Sequence, residues 1–172
     1  NSILNKDVVI LQCVEVGDNF HAQHDTESKT YEYRILNRRA ESALRQLRAW
    51  HIRSELDINL MREASNYLIG KIDFTSFCRK KSITPCNLRT VSSLNIERKI
   101  DEIILQITAD GFLRHMVRNI VGTLVEVGTG ARSTRNIPIL IKSKDRRLAG
   151  PTAPPHGLSL INVDYGKDIF KE

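Results

Sequence analysis

The amino-acid sequence predicts an α+β domain: a largely antiparallel sheet with helices on one face. Residues 29–36 (KTYEYRIL) alternate with period two, which a half-buried strand requires. Two strand-like runs, 88–98 and 102–108, adjoin across a charged junction at 99–101 and read as a hairpin. Leu113, Met116, Val117, Ile120, Val121, Leu124 and Val127 recur at three- and four-residue steps, the spacing of one wide apolar helix face.

Taken in order, residues 7–16 (DVVILQCVEV) are apolar and β-branched and read as a first strand. In the next strand, over 29–36, Tyr31, Tyr33 and Ile35 share one face and Thr30, Glu32 and Arg34 the other. The basic, mixed stretch 37–53 reads as a loop with a short helix. Asp57 can N-cap a helix running to about Ile69, with Gly70 closing it and Leu60, Ala64, Tyr67 and Leu68 on its apolar face. Residues 73–77 (DFTSF) form a turn, followed by the charge run Arg79, Lys80 and Lys81. After the hairpin comes the helix of the 111–130 stretch, with Gly128 and Gly130 at its C-terminal end and Asp110 placed to cap it or close the turn before it. A second helix is expected over 137–143. The prolines of 150–157 (GPTAPPHG) make that segment a loop, and 158–165 (LSLINVDY) is the last strand.

The chain has 172 residues, long enough to bury a real core, and 41% of them are hydrophobic. No apolar run reaches membrane-spanning length and no signal-peptide pattern opens the sequence, so no membrane role is expected. The formal net charge of +6 and a pI near 9.4 favour a polyanionic partner, nucleic acid first among them. Cys13, Cys78 and Cys86 are odd in number and show no CxxC pair, which opposes a disulfide framework and a zinc site and suits a reducing cytoplasm. His21 and His24 lack a second ligand pair, so no metal site is expected. Walker loop, dinucleotide fingerprint and nucleophile elbow are all absent from the sequence.

The 111–130 stretch also carries arginines where a buried helix should have none. Arg114, Arg118 and Gly122 fall four apart and stack as a second stripe, basic near the helix start. The macrodipole disfavours cations there, so the placement calls for an anion, a carboxylate or a phosphate. Arg118 is flanked by apolar residues, and its guanidinium could pair bidentately with a carboxylate or simply sit in solvent. Tyr31 and Tyr33 could be core aromatics or rings that stack on a base. Arg79, Lys80 and Lys81, like Arg38, Arg39, Arg45, Arg48 and Arg53, are either a solvated surface or phosphate contacts.

Several segments together resemble the tRNA pseudouridine synthase A family: Phe20-His21-Ala22, Lys29-Thr30-Tyr31-Glu32-Tyr33, Asp73-Phe74-Thr75-Ser76-Phe77, Arg89-Thr90-Val91, the run from Phe112 to Gly122 with its HMVRNIVG core, Thr152-Ala153-Pro154, and Gly157-Leu158. They occur in the family's order across nearly the whole chain. The resemblance implies a cofactor-independent isomerase that converts uridine to pseudouridine at nucleotides 38 to 40 of the tRNA anticodon stem-loop. It implies the family's fold of two RRM-like halves around one cleft, a cytoplasmic homodimer, and extrusion of the target nucleotide from its stack. Carried over by motif, Tyr31 stacks on the target base, Arg118 pairs with the catalytic aspartate, and Leu158 lines the pocket. Arg114, Arg79, Lys80 and Lys81 become candidate RNA contacts. The family's aspartate motif, G-R-T-D-x-G-V-H, does not occur in these residues. Residues 1–22 are therefore expected to end an N-terminal lobe and 23–172 to form the C-terminal lobe, the chain being a fragment that is inactive alone. At position 23 the family usually has arginine after FHA; Gln23 stands there instead. The competing expectations are an RNA-binding module without chemistry and a dimerisation module.

Overall fold

A computed structural model describes residues 1–79, 86–166 and 169. Its centre is β1 (Ser28–Asn37), which carries a neighbour on each side. Along one side runs β5 (Glu102–Ala109), antiparallel and in unbroken register from Lys29 opposite Ala109 to Leu36 opposite Glu102. β5 forms the expected hairpin with β4 (Leu88–Lys99), and β4 in turn pairs antiparallel with β3 (Gly70–Asp73). The other side of β1 is divided. Its first residues pair antiparallel with β6 (Leu158–Asp164), and its last three pair in parallel with β2 (Trp50–Ile52).

Among the described residues three α-helices pack with the sheet: α1 (Ile58–Asn66), α2 (Met116–Gly128) and α3 (Asn136–Ser143). The period-two strands sort their side chains as expected. Tyr33 and Ile35, Leu94 and Ile96, and Ile103, Leu105 and Ile107 join one core with Met61, Ala64 and Leu68 around α1 and with Ile120, Leu124 and Val127 of α2. The opposite sheet face carries the charges: Glu32 bonds Arg34 and Gln106, and Glu102 pairs with Arg34 and Arg45. Burial alone would raise the Glu32 carboxyl, but the Gln106 and Arg34 hydrogen bonds outweigh it and hold the group below its ordinary range.

Five local expectations need correction. Residues 8–16 form no strand; Val8, Val9, Ile10 and Leu11 are exposed, and among the described residues no strand pairs with them. A β-branched run has a strand's preferences, but a strand exists only with a neighbour to take its N–H and C=O groups. The 37–53 stretch, expected as loop and helix, contains β2 besides a 3-10 turn at Ala43–Arg45. Three residues are too few to show a period; they pair because β6 leaves the end of β1 open, and Asn37 stitches the join by donating to Ile52 O (3.1 Å) and Ser54 O (2.7 Å). The Asp57 cap is present, Oδ1 accepting from the N–H of Asn59 (2.8 Å) and Leu60 (3.1 Å). However, α1 stops at Asn66 and buries Met61, Ala64 and Ser65, leaving Leu60 and Tyr67 substantially exposed; the apolar face is rotated by one residue because α1 must meet both β4 and α2. Gly70 then opens β3, a strand the sequence pattern does not show, with φ of +107°.

The fifth correction bears on the site. α2 begins at Met116, because His115 adopts a left-handed φ of +65°. Arg114 thus precedes the helix and does not stack with Arg118 and Gly122. Leu113 is buried nonetheless, folded under the helix by a turn in which Met116 N–H donates to Leu113 O at 3.0 Å. Asp110 closes the preceding turn onto β4, its Oδ1 accepting from Thr90 N–H (2.9 Å).

Candidate functional site

The first half of β1, the start of β6, the β5–α2 connection and the first turn of α2 converge on one cavity of about 250 Å³. Its walls include Tyr31, Phe112, Arg114, His115, Arg118 and Leu158. Each is placed by a local cause. The β1–β6 register shifts between Thr30 and Tyr31, an irregularity of the kind that re-aims a strand side chain. Phe112 meets the Tyr31 ring edge-on, with centroids 4.9 Å apart and planes at 84°. Leu158 opens β6 opposite Tyr33. Arg118 is the third residue of α2, and its Nε donates to Ala153 O at 2.6 Å.

The two tyrosines of the YEY run separate here. Tyr33 is fully buried, and its hydroxyl donates to Pro154 O at 2.7 Å. Burial pushes its phenol far above the ordinary range, with Arg118 opposing only in part. Tyr33 is therefore a core residue. Tyr31 is half-buried, with its ring against the cavity.

The site is strongly cationic. Burial, followed by the charges of Arg118, Arg79, Arg114 and Arg146, holds the His115 imidazole below its usual value, so the ring is neutral at pH 7. The ion pairs found among the described residues engage other arginines, such as Arg34, Arg38, Arg45, Arg132 and Arg147, and none reaches Arg79, Arg114 or Arg118. Guanidinium groups gathered at a helix N-terminus, with α2's own N–H groups adding to the potential, make a place for an anion.

A loop crosses over α2 to hold Arg118. An added Cβ on Gly122 would meet Pro151 O at 1.7 Å, so only glycine lets the loop pass, and one on Gly150 would meet the Thr123 backbone, 2.7 Å from its Cα. Ala153 N–H donates back to Arg118 O at 3.1 Å.

Of the residues singled out in the sequence, Tyr31, Arg114, Arg118 and Leu158 come together in this cavity. Arg79 lies beside them, exposed, with its N–H donating to Arg114 O at 3.1 Å. Lys80 and Lys81 lie outside the described residues. Sequence reasoning missed Phe112 and His115 as walls, since both were absorbed into a helix that starts later than its pattern suggests. It also missed Asn119, whose polar side chain between Val117 and Ile120 on a buried helix was the available signal. Among the described residues no three His, Cys, Asp or Glu side chains gather as a metal site would require, and no helix is long and apolar enough to cross a membrane.

This arrangement has relatives. Residues 64–166 match a family model described as tRNA pseudouridine synthase. The chain is similar to tRNA pseudouridine synthase A of Thermoanaerobacter sp. (strain X514), 44% identical over 165 residues that cover 96% of this chain and 68% of that protein. It is 43% identical to tRNA pseudouridine synthase A 2 of Clostridium perfringens (strain 13 / Type A), over 96% of this chain and 68% of that protein. Against tRNA pseudouridine synthase A of Shouchella clausii (strain KSM-K16), identity is 37% over 99% of this chain and 65% of that protein. The family match runs from α1 through the cavity-forming loop and α2 to β6, and the chain belongs to the tRNA pseudouridine synthase family.

Proposed function

We propose that this chain is the C-terminal lobe, residues 23–172, of a synthase that converts uridine to pseudouridine in the tRNA anticodon stem-loop, with residues 1–22 ending the N-terminal lobe. The observation that carries the reading is the convergence of Tyr31, Arg118 and Leu158 on one cavity at the N-terminus of α2. At about 250 Å³ the cavity lies just below the roughly 300–1,000 Å³ of ordinary ligand pockets, a scale suited to one extruded nucleotide. In the reaction the C1′–N1 bond breaks, the uracil turns, and a C1′–C5 bond forms while the C5 proton leaves and N1 gains one. No cofactor is consumed. Tyr31 stacks on the base, Leu158 forms an apolar wall, and Arg118 pairs with the catalytic aspartate. Because the G-R-T-D run is absent from these 172 residues, that aspartate comes from the N-terminal lobe. Arg79 and Arg114, with Lys80 and Lys81, contact the RNA backbone. The working enzyme is a cytoplasmic homodimer.

Tritium release from tRNA carrying [5-³H]uridine tests this. The two-lobed synthase should turn over, and the 172-residue chain alone should not. Arg118→Leu in the synthase should lower kcat by roughly 10²–10³-fold, the usual cost of one lost charge-stabilising partner, while tRNA affinity stays within about threefold. Near-normal turnover by Arg118→Leu removes the carboxylate-pairing role. Turnover by the chain alone means that the aspartate lies within it.

A further inference from the structure

Arg146 follows the α3 helix, outside the cavity, yet its guanidinium is partly buried and bonds neutral oxygens. Nη2 donates to Asn119 Oδ1 (2.9 Å) and Thr152 Oγ1 (3.0 Å), and Nη1 to Ala149 O (3.3 Å). Thr152 Oγ1 in turn donates to Asn119 Oδ1 at 2.7 Å, closing a triangle of three side chains from three segments. Asn119 Nδ2 donates to Phe77 O at 2.5 Å, so the triangle is anchored to the 3-10 turn at Thr75–Phe77. One helical turn on, Thr123 Oγ1 donates to Asn119 O (2.8 Å) and accepts from Gly150 N–H (3.0 Å).

An arginine is a costly choice for a purely structural post. Taking a guanidinium out of water without a carboxylate hydrogen-bonded to it is unfavourable, and burial lowers the Arg146 pKa, with the charge of Glu126 opposing only in part. What the arrangement delivers is position. Asn119 and Thr152 are the immediate chain neighbours of Arg118 and Ala153, and the triangle locks those two positions together. The Arg118 Nε–Ala153 O bond is then one member of a set that holds the loop on α2, and it fixes one edge of the guanidinium while leaving the other directed at the cavity.

We propose that Arg146, acting with Asn119 and Thr152, is a positioning residue for Arg118. It sets the orientation of that guanidinium through the 150–153 loop and does not touch substrate. The catalytic consequence rests on the function proposed above; the structural one does not.

The test therefore has two arms. In the first, the Arg118 Nε–H resonance of this chain is followed by NMR. It should be protected from exchange, and Thr152→Val and Arg146→Met should each raise its exchange rate at least about tenfold, the effect of losing one or two net hydrogen bonds. Amides in the β1–β5 ladder, unchanged, report an intact fold. Arg146→Lys retains a donor for Asn119 and Thr152 and should restore part of the protection. In the second arm the same substitutions in the two-lobed synthase should lower kcat about tenfold with KM for tRNA unmoved, a split that general destabilisation does not produce. Unchanged Nε exchange in both variants overturns the proposal, and so does a released Nε with undiminished kcat. A wild-type synthase that makes no pseudouridine defeats the functional reading and leaves the NMR arm to decide this one.

Discussion

Gly122→Ala isolates the contact on which the site's geometry depends. In a solvent-exposed helix this change stabilises by about 1 kcal/mol, because alanine is the better helix former. Here the new Cβ would lie 1.7 Å from Pro151 O and 2.9 Å from its carbonyl carbon, against the 3.4–4 Å of ordinary contact. Both are backbone atoms, so no side chain can rotate away; the loop must retreat by roughly 2 Å or the helix must deform. A retreat of that size breaks Arg118 Nε–Ala153 O, Ala153 N–Arg118 O and Gly150 N–Thr123 Oγ1, now 2.6, 3.1 and 3.0 Å. At about 1 kcal/mol net each, and after crediting alanine's propensity, the loss is about 2 kcal/mol, rising towards about 4 where buried acceptors stay unsatisfied. For a chain of this size that lowers Tm by roughly 5–15 °C. Gly128→Ala is the matched control. Its Cβ would meet Met61 Sδ at 2.8 Å, the far end of a flexible side chain, and the cost should stay within about 1 kcal/mol. Urea denaturation of the two variants measures both. If Gly122→Ala is as stable as wild type, the loop does not bear on α2 as described and the account of how Arg118 is held is wrong.

Three further outcomes are expected. Asp57→Ala removes two accepted N–H bonds at the start of α1 and should cost about 1 kcal/mol in urea denaturation, with Asp57→Asn costing less. Tyr33→Phe leaves Pro154 O without its phenolic donor and should destabilise by about 1 kcal/mol, whereas Tyr31→Phe, at the cavity, should fall within about 0.5 kcal/mol of wild type; equal losses would erase the distinction between a core and a site tyrosine. His115 is held below its ordinary pKa in the folded state, so the unfolded chain binds the extra proton first. Its contribution therefore lowers stability as pH falls through the unfolded value near 6.5 and levels off below the folded one. His115→Gln should flatten that part of the stability–pH curve, and an NMR midpoint for His115 at or above 6.5 would contradict the cationic environment described.

Much of this was legible in the chain, because local chemistry carries it. Alternation in β1 and in the β4–β5 hairpin, the Asp57 cap and the apolar spacing of α2 are properties of neighbours in sequence, and the structure keeps them. Residues 7–16 show the limit: they have a strand's composition and no partner among the described residues, since pairing is decided by what lies alongside. Trp50–Ile52 is the converse, a strand with no visible period that exists because β6 leaves part of β1's edge open. The basic start of the α2 stretch raised the expectation of an anion from sequence alone, since a cation against the helix dipole needs a reason. Only tertiary structure separated Arg114 from Arg118, by the left-handed turn at His115, and Tyr33 from Tyr31, by burying one phenol against Pro154. It alone also brought Ala153, Thr152 and Arg146 to the helix, because those contacts depend on two glycines letting a distant loop cross a backbone at close range, and periodicity carries no record of distance.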